Sequence, residues 1–311
     1  MNFLYIILGF ALLVFGGNWL LKSAVSISLK MHIPKIVIGM TVVSFATSAP
    51  ELIVSIRSAV SGFSDLALGN VMGSNIANLG LVLGITLLVS KIDIQKSFYK
   101  TDWPIMMLAT LLLAFFVFND SVVTHVEGII LFSCLFLFLI YLLRFQKQAV
   151  VDEMPEDDEL LPNYKTFLFL ILGSAGLWGG SELLISGATS LAKDFGVSER
   201  LIAVTIVSVG TSIPELAASL VAVIKKEKAI SIGNLIGSNM FNILAVLGIT
   251  SMITPVTVND TTLLKNDIYW VIGISVLILP LVFFPKNLRL DWKDGIILLI
   301  CYGVFIYTPL R

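Results

Sequence analysis

The sequence predicts an all-α polytopic membrane protein: ten transmembrane helices, arranged as two five-helix repeats of inverted topology, with helices broken at the midplane. Three observations predict it. The 311-residue chain is 57% hydrophobic and only 13% charged, the composition of a bilayer protein rather than a soluble one. Its apolar residues gather into ten segments, each close to the roughly 20 residues a helix needs to cross hydrocarbon. Residues 34–90 also align without a gap on residues 198–254, at an offset of 164, with 21 identities in 57 positions.

In chain order the segments are 2–21, 34–60, 66–89, 102–119, 125–144, 166–190, 198–224, 229–253, 267–285 and 293–309. The first has no basic stretch before it and no small-residue cleavage site before Lys22, so it is expected to be a span rather than a signal peptide. Cys134 and Cys301 fall inside spans and are expected to act as small apolar residues. His32 and His125 lie at segment edges, which argues against a histidine-based transition-metal site. Between the fifth and sixth segments runs "QKQAVVDEMPEDDELLPNYK", with six acidic residues and two prolines. It reads as a solvated linker, with a regulatory cation sensor as the alternative, although it lacks the alternating acids and central glycine of an EF-hand loop. The chain therefore divides into a first repeat, 1–145, an acidic linker, 146–165, and a second repeat, 166–311.

Orientation follows from the basic residues. Of the 20 Lys and Arg, 15 fall in the odd-numbered connections, such as Lys22, Lys30 and Lys35 or Lys225, Lys226 and Lys228. Only Arg57, Lys193, Arg200, Lys265 and Arg311 fall on the other side. The odd connections, including 146–165, are thus expected to be cytoplasmic, with both termini outside. Five spans per half is an odd number, so the second repeat enters the bilayer from the opposite face, as in many secondary transporters.

The identities concentrate in unusual places. "VSFATSAPELIVS" (43–55) and "VSVGTSIPELAAS" (207–219) put a proline and a glutamate into otherwise apolar spans. Ser44, Thr47, Ser48 and Glu51 are spaced i, i+3, i+4, i+7, a single helix face, which Thr41 and Ser55 extend; Ser208, Thr211, Ser212 and Glu215 repeat it. In the third and eighth spans Asn70, Ser74, Asn78 and Asn234, Ser238, Asn242 recur every fourth residue. Lipid cannot satisfy such stripes, so they must face one another or water. Pro50 and Pro214 have no N–H to give the carbonyls of Ala46 and Gly210, and are expected to free them and to disturb Thr47 and Thr211. Carbonyls freed at a broken helix are cation ligands in transporters. Two carboxylates, carbonyls, hydroxyls and amides form an all-oxygen donor set, suited to Ca²⁺ or Na⁺ better than to Mg²⁺, which keeps its waters.

Structural roles compete with this one. Ser48-x-x-Glu51 and Ser212-x-x-Glu215 also match the capping box that starts a helix. Ser74 and Ser238 lie beside Gly69/Gly73 and Gly233/Gly237, which could serve close helix packing instead. Charge sets a further condition. Two ionised glutamates with no basic partner in these spans would be costly to carry across a bilayer, so the protein should change its facing side only with cations or protons bound. That is the condition for exchange rather than leak.

At these residues the chain resembles a known family. "GMTVVSFATSAPEL…GNVMGSNIANLGLVLG" and "AVTIVSVGTSIPEL…GNLIGSNMFNILAVLG" resemble the two α-repeats of the cation/calcium exchanger superfamily, in its prokaryotic sodium/calcium branch. The resemblance implies a Na⁺/Ca²⁺ antiporter of the cell membrane, working by alternating access and normally extruding Ca²⁺. It implies Ca²⁺ held by Glu51, Glu215 and the backbone carbonyls of Thr47 and Thr211, with Na⁺ sites at Ser44, Ser48, Ser74, Ser208, Ser212 and Ser238. Asn78 and Asn242 complete the donor set. It implies gating by the first and sixth spans, whose glycine pairs Gly16-Gly17 and Gly179-Gly180 would offer smooth surfaces. Two departures stand out: Asn242 occupies a position that is Asp in archaeal relatives, and Ala46 one that is usually Gly. Glu182 aligns with Asn18, either as a helix-end polar residue or as part of a gate. The partners implied are the transported ions and the bilayer, with no resident cofactor, no nucleic acid and no obligate protein partner. A Ca²⁺/H⁺ antiporter using the same glutamates is the alternative, and a passive cation channel a distant one. An enzyme is disfavoured, because no HExxH and no nucleophile–base pair is present.

Overall fold

The computed structural model describes residues 2–145, 160–196, 208–285 and 288–308. They are overwhelmingly helical: α1 Asn2–Met31, α2 Lys35–Thr47, α3 Ala49–Val60, α4 Ser64–Val89, α5 Phe98–Asp120, α6 His125–Arg144, α7 Asn163–Asp194, α8 Ile213–Ile224, α9 Lys228–Ile253, α10 Leu263–Phe283 and α11 Trp292–Tyr307. Among the described residues seven helices are long and apolar enough to cross a membrane, or eight if the bent pair α2–α3 is one span. The other two expected spans are incomplete on this measure. Much of 198–224 lies outside the described residues, leaving the turn Ser208–Gly210 and the 12-residue α8, and α11 has only 16 residues. Two short antiparallel pairings tie connections together, Ile92–Asp93 (β1) with Arg289–Leu290 (β4), and Val122–Val123 (β2) with Val256–Thr257 (β3).

Several helices outrun their hydropathy. The first apolar segment stops near Lys22, yet α1 continues to Met31. The serines there remain helical because α7 supplies partners: the Ser23 hydroxyl donates to the Thr166 carbonyl at 2.8 Å, and Ser26 and Thr166 hydroxyls lie 3.1 Å apart.

The chain forms two compact units, 1–47 with 139–234 and 48–138 with 235–311, so each draws on both halves of the sequence. In the first unit α1 and α7 touch backbone to backbone. A Cβ added to Gly16 would sit 2.7 Å from the Leu177 nitrogen, and one on Gly180 2.9 Å from the Gly9 carbonyl oxygen. Gly173, Gly176 and Gly187 continue this seam of small residues. The expected glycine pairs split. Gly16 and Gly180 lie in the seam, but Gly17 faces Val221 of α8 and Gly179 has nothing within 4 Å. Neighbours on a helix point about 100° apart, so both members of a pair cannot face one partner.

In the second unit α4 packs on α11 at Gly80 and Gly84, where added Cβ atoms would lie 2.9 Å from Tyr302 and 2.8 Å from Leu299. α4 and α9 are the most enclosed long helices, 78% and 83% buried over their apolar windows against 28% for α6 and α7. These two helices carry the repeated asparagines.

Candidate cation site

The two proline–glutamate motifs fold alike. Chain direction changes by 46° between α2 and α3, at Ser48 (φ −86°, ψ 5°), and α8 starts at Ser212 (φ −89°, ψ 3°). Pro50 and Pro214 occupy the first turn of α3 and α8, where a missing N–H costs nothing. Neither serine makes a side-chain capping hydrogen bond, so the capping-box reading fails in both copies. Glu51 and Glu215 follow in the same first turns, each 0% exposed. A helix N-terminus is a favourable place for a carboxylate, and burial removes water as its competitor for a cation.

Of the two carbonyls expected to be freed by proline, that of Gly210 is taken up by α7, accepting from the Ser181 hydroxyl at 2.9 Å. Gly17 stands where the repeat would place the equivalent of Ser181, and glycine has no hydroxyl to give. An oxygen with two lone pairs can still accept a second partner.

Within the first unit, α2 approaches α9 through glycine. A Cβ on Gly39 would sit 2.5 Å from the Ile230 carbonyl oxygen, and one on Gly233 would collide with the Ile36 carbonyl. This brings the Ser44 hydroxyl to 2.8 Å from the Gly39 carbonyl and 2.9 Å from that of Asn234. The Thr47 hydroxyl donates to Asn234 Oδ1 at 3.2 Å, and Asn234 Nδ2 donates to Ser219 at 3.1 Å. The rival reading of close packing fails around Gly69 and Gly73, where Gly69 meets only Leu263, at 3.6 Å, and Gly73 has nothing within 4 Å, but holds at Gly233. Ser212 is buried with no hydrogen-bond partner for its hydroxyl among the described residues, while Thr211 is half-buried. Of Ser208 the structure describes the backbone turn only.

Within the second unit, Asn70 Nδ2 donates to Ser55 at 2.9 Å and to the Glu51 carbonyl at 3.3 Å. The Asn70–Ser55 bond is the repeat equivalent of Asn234–Ser219. Ser74, Ser238, Asn78 and Asn242 are all buried, at 2%, 0%, 0% and 0% exposure. Asn242 Nδ2 donates to Ser74 Oγ at 2.9 Å and to Asn75 Oδ1 at 3.2 Å. A π-helical turn begins at Asn78 in α4 and at Asn242 in α9, the kind of local widening that recurs at functional sites. The sequence stripes overlooked Asn75 and Asn239, which are identical between the repeats but off the i, i+4 line. Their side chains bond reciprocally, Asn75 Nδ2 to the Asn239 carbonyl and Asn239 Nδ2 to the Asn75 carbonyl, both at 3.2 Å.

Of the expected site residues, Ser44, Thr47, Ser208, Thr211, Ser212 and Glu215 belong to the first unit, and Ser48, Glu51, Ser74, Ser238, Asn78 and Asn242 to the second. Each unit by itself holds one fully buried carboxylate together with hydroxyl or amide oxygens in buried surroundings, the donor chemistry that suits a hard cation.

Among the described residues, seven helices of spanning length and the bent pair α2–α3, broken beside a buried glutamate, define a multi-pass integral membrane protein of the transporter kind. The sodium/calcium exchanger protein family matches residues 1–144 and 165–311, and the chain belongs to that family. It is 36% identical over 315 aligned residues to CaxA of Alkalimonas amylolytica, covering 98% of this chain and 97% of CaxA. It is 28% identical over 346 aligned residues to the sodium/calcium exchanger MaX1 of Methanosarcina acetivorans, covering 98% and 97%. The solved structure of the sodium-calcium exchanger NCX_Mj matches with a TM-score of 0.83 and 26% identity, over 100% of this chain and 98% of its own. The resemblance read from the α-repeats is therefore correct: this is a prokaryotic-type member of the cation/calcium exchangers, a cation/Ca²⁺ antiporter rather than an enzyme.

Proposed function

We propose that the chain exchanges Na⁺ for Ca²⁺ across the cell membrane by alternating access and normally extrudes Ca²⁺. In this reading ten spans form two inverted repeats broken at the midplane, with both termini outside and residues 146–165 cytoplasmic. Glu51 and Glu215, with the carbonyls of Thr47 and Thr211, hold Ca²⁺. Ser44, Ser48, Ser74, Ser208, Ser212 and Ser238 supply oxygens to Na⁺, and Asn78 and Asn242 complete the donor set. The transported ions are substrates, and no resident cofactor takes part.

One observation carries the reading: both glutamates are 0% exposed, each in the first turn of a helix entered at a serine with the same backbone angles. Burial of this kind twice over, without a capping role for either serine, fits carboxylates kept for a cation. The hydroxyl of Ser44 spends its hydrogen on backbone carbonyls, which leaves its lone pairs to an ion.

The test is Ca²⁺ uptake by proteoliposomes loaded with Na⁺ and diluted into Na⁺-free buffer, beside K⁺-loaded and acid-loaded vesicles. Uptake should require internal Na⁺ and vanish in Glu51→Gln and in Glu215→Gln. Uptake driven by the pH gradient alone would establish Ca²⁺/H⁺ antiport instead. Full activity in either glutamine variant would remove that residue from the site.

A further inference from the structure

Asn70 and Asn234 are repeat mates, and each bonds the serine that follows a motif glutamate by four residues, Ser55 after Glu51 and Ser219 after Glu215. Asn70 Nδ2 donates to Ser55 at 2.9 Å, and Asn234 Nδ2 to Ser219 at 3.1 Å. Beyond this shared bond the two side chains work through different atoms. In the second unit Asn70 Nδ2 also donates to the main-chain carbonyl of Glu51, at 3.3 Å. A carbonyl only accepts, so this contact fixes which end of the amide faces α3. In the first unit Asn234 Oδ1 accepts the Thr47 hydroxyl at 3.2 Å, and the Asn234 main-chain carbonyl accepts that of Ser44 at 2.9 Å.

These contacts lie on either side of the break at Ser48. Thr47 is the last residue of α2, and Glu51 is in the first turn of α3. A helix interrupted beside proline lacks some of the backbone bonds that would hold its ends, so side-chain partners set where those ends lie. Thr47, Glu51, Ser55 and Ser219 are each no more than 1% exposed, which keeps bulk water from competing. The Thr47 hydroxyl also lies 3.3 Å from the Ser44 carbonyl of its own helix. Without Asn234 it would turn inward and untie the end of α2 from α9.

We propose that Asn70 and Asn234 are positioning residues of the cation site, and that they act with opposite chemistry. Asn70 serves as a donor, strapping Glu51 and Ser55 in the first turn of α3. Asn234 serves as an acceptor, holding the Thr47 hydroxyl and with it the helix end that carries the Thr47 carbonyl. This rests on the antiport reading above, in which Glu51 and the Thr47 carbonyl hold the ion. One isosteric change should therefore act unequally at two positions that the sequence makes equivalent. Asn234→Asp keeps an acceptor for Thr47, and Ser219 can turn its hydroxyl to donate. Asn70→Asp has no hydrogen to give the Glu51 carbonyl and sets a negative charge against it.

The experiment measures half-saturating ⁴⁵Ca²⁺ and maximal rate in proteoliposomes, under the gradient that drives the parent. The variants are Asn70→Asp, Asn234→Asp, Asn234→Ala, Thr47→Val, the last two combined, and Glu51→Gln. Asn70→Asp should raise half-saturation about tenfold and Asn234→Asp less than about twofold. Asn234→Ala should raise it about fivefold, the scale of one hydrogen bond. Thr47→Val should match Asn234→Ala, and combining them should add nothing, because both remove the same contact. Equal shifts in the two aspartate variants, additive effects of Asn234→Ala and Thr47→Val, or a fall in maximal rate alone would overturn the proposal. If Asn70→Asp does not fold, the neutral Asn70→Ala should still shift half-saturation more than Asn234→Asp does. Glu51→Gln separates the two levels. Retained transport there would overturn the site reading itself, whereas lost transport beside asparagine variants of parental half-saturation would overturn the positioning roles alone.

Discussion

The helix pair α1–α7 and the helix pair α4–α9 are both repeat mates, yet they are joined by opposite means. α1 and α7 meet along glycines, with backbone against backbone from Gly9 and Gly16 to Gly173, Gly176 and Gly180. Polar contacts in this pair lie toward its ends, Asn2 with Asp194 at 2.7 Å, and Lys30 with Asn163 at 2.8 Å. α4 and α9 are instead bonded at their middle, through Asn75, Asn239, Asn242 and Ser74. Van der Waals contact along a smooth seam has no preferred register, whereas a hydrogen-bonded amide does. The same duplication thus yields one interface suited to shear and one suited to holding position.

The contrast breaks most sharply at a glycine. Gly16→Leu would drive its Cβ toward the Leu177 nitrogen, 2.7 Å away, and neither backbone can retreat without separating the helices. We expect a loss on the order of 3 kcal/mol, seen as a large fall in the melting temperature of the purified protein and loss of transport. Gly179→Ala is the matched control, because nothing lies within 4 Å of that position, and it should melt like the parent. Equal melting of Gly16→Leu and the parent would show that α1 and α7 are not held by the seam.

Next in size is the asparagine pair. Asn75→Ala removes a donor to the Asn239 carbonyl and an acceptor for Asn242, which should cost about 1–3 kcal/mol. Asn239→Ala should cost a similar amount; each bond ends on a backbone carbonyl that alanine keeps, so the double variant should fall short of the sum only as far as either loss already loosens the same helix contact. Strict additivity in thermal unfolding would mean that the two amides act independently.

How much of this was legible in advance depends on what each feature is made of. Seven of the spans, or eight with the bent pair, were legible because hydropathy is a property of segments, and the breaks at Ser48 and Ser212 because Pro50 and Pro214 mark them. The end of α1 was not: Ser23 and Ser26 look like a loop until Thr166 supplies their partners. The seam was half legible, since "GG" announces close approach without saying which glycine faces the neighbour. Asn75 and Asn239 were visible as identities but lay off the polar stripe, and their role depends on how two helices cross. The inequality of Asn78, whose amide has no hydrogen-bond partner among the described residues, and Asn242, whose Nδ2 reaches Ser74, could not be read at all. Both repeats spell the same residues there, so the difference arises from how the helices pack and not from the local sequence.

A smaller effect is expected where the repeats differ in charge. Lys35 Nζ lies 2.8 Å from Glu227 Oε1, with the side chains 12% and 15% exposed. Position 63, the equivalent of Glu227, is Phe, so this ion pair belongs to one half only. Glu227→Gln keeps the shape and removes the charge, and should cost about 1 kcal/mol, more than an open surface pair but less than a fully buried one. The loss should shrink in high salt, as melting at two ionic strengths would reveal. A loss insensitive to salt would mean that the contact works as an ordinary hydrogen bond.

The smallest effect should come from the outer end of the seam. Asn2 Nδ2 donates to Asp194 Oδ2 at 2.7 Å, but the contact is exposed and water competes for both groups. Asp194→Ala should therefore shift stability by no more than about 0.5 kcal/mol. If the seam is what joins α1 to α7, its ends can be untied almost without consequence while a leucine side chain at its middle cannot be accommodated. Were Asp194→Ala to destabilise the protein as much as Gly16→Leu, the order would be reversed: the polar ends would hold the pair together, and the glycines would only allow it to fit.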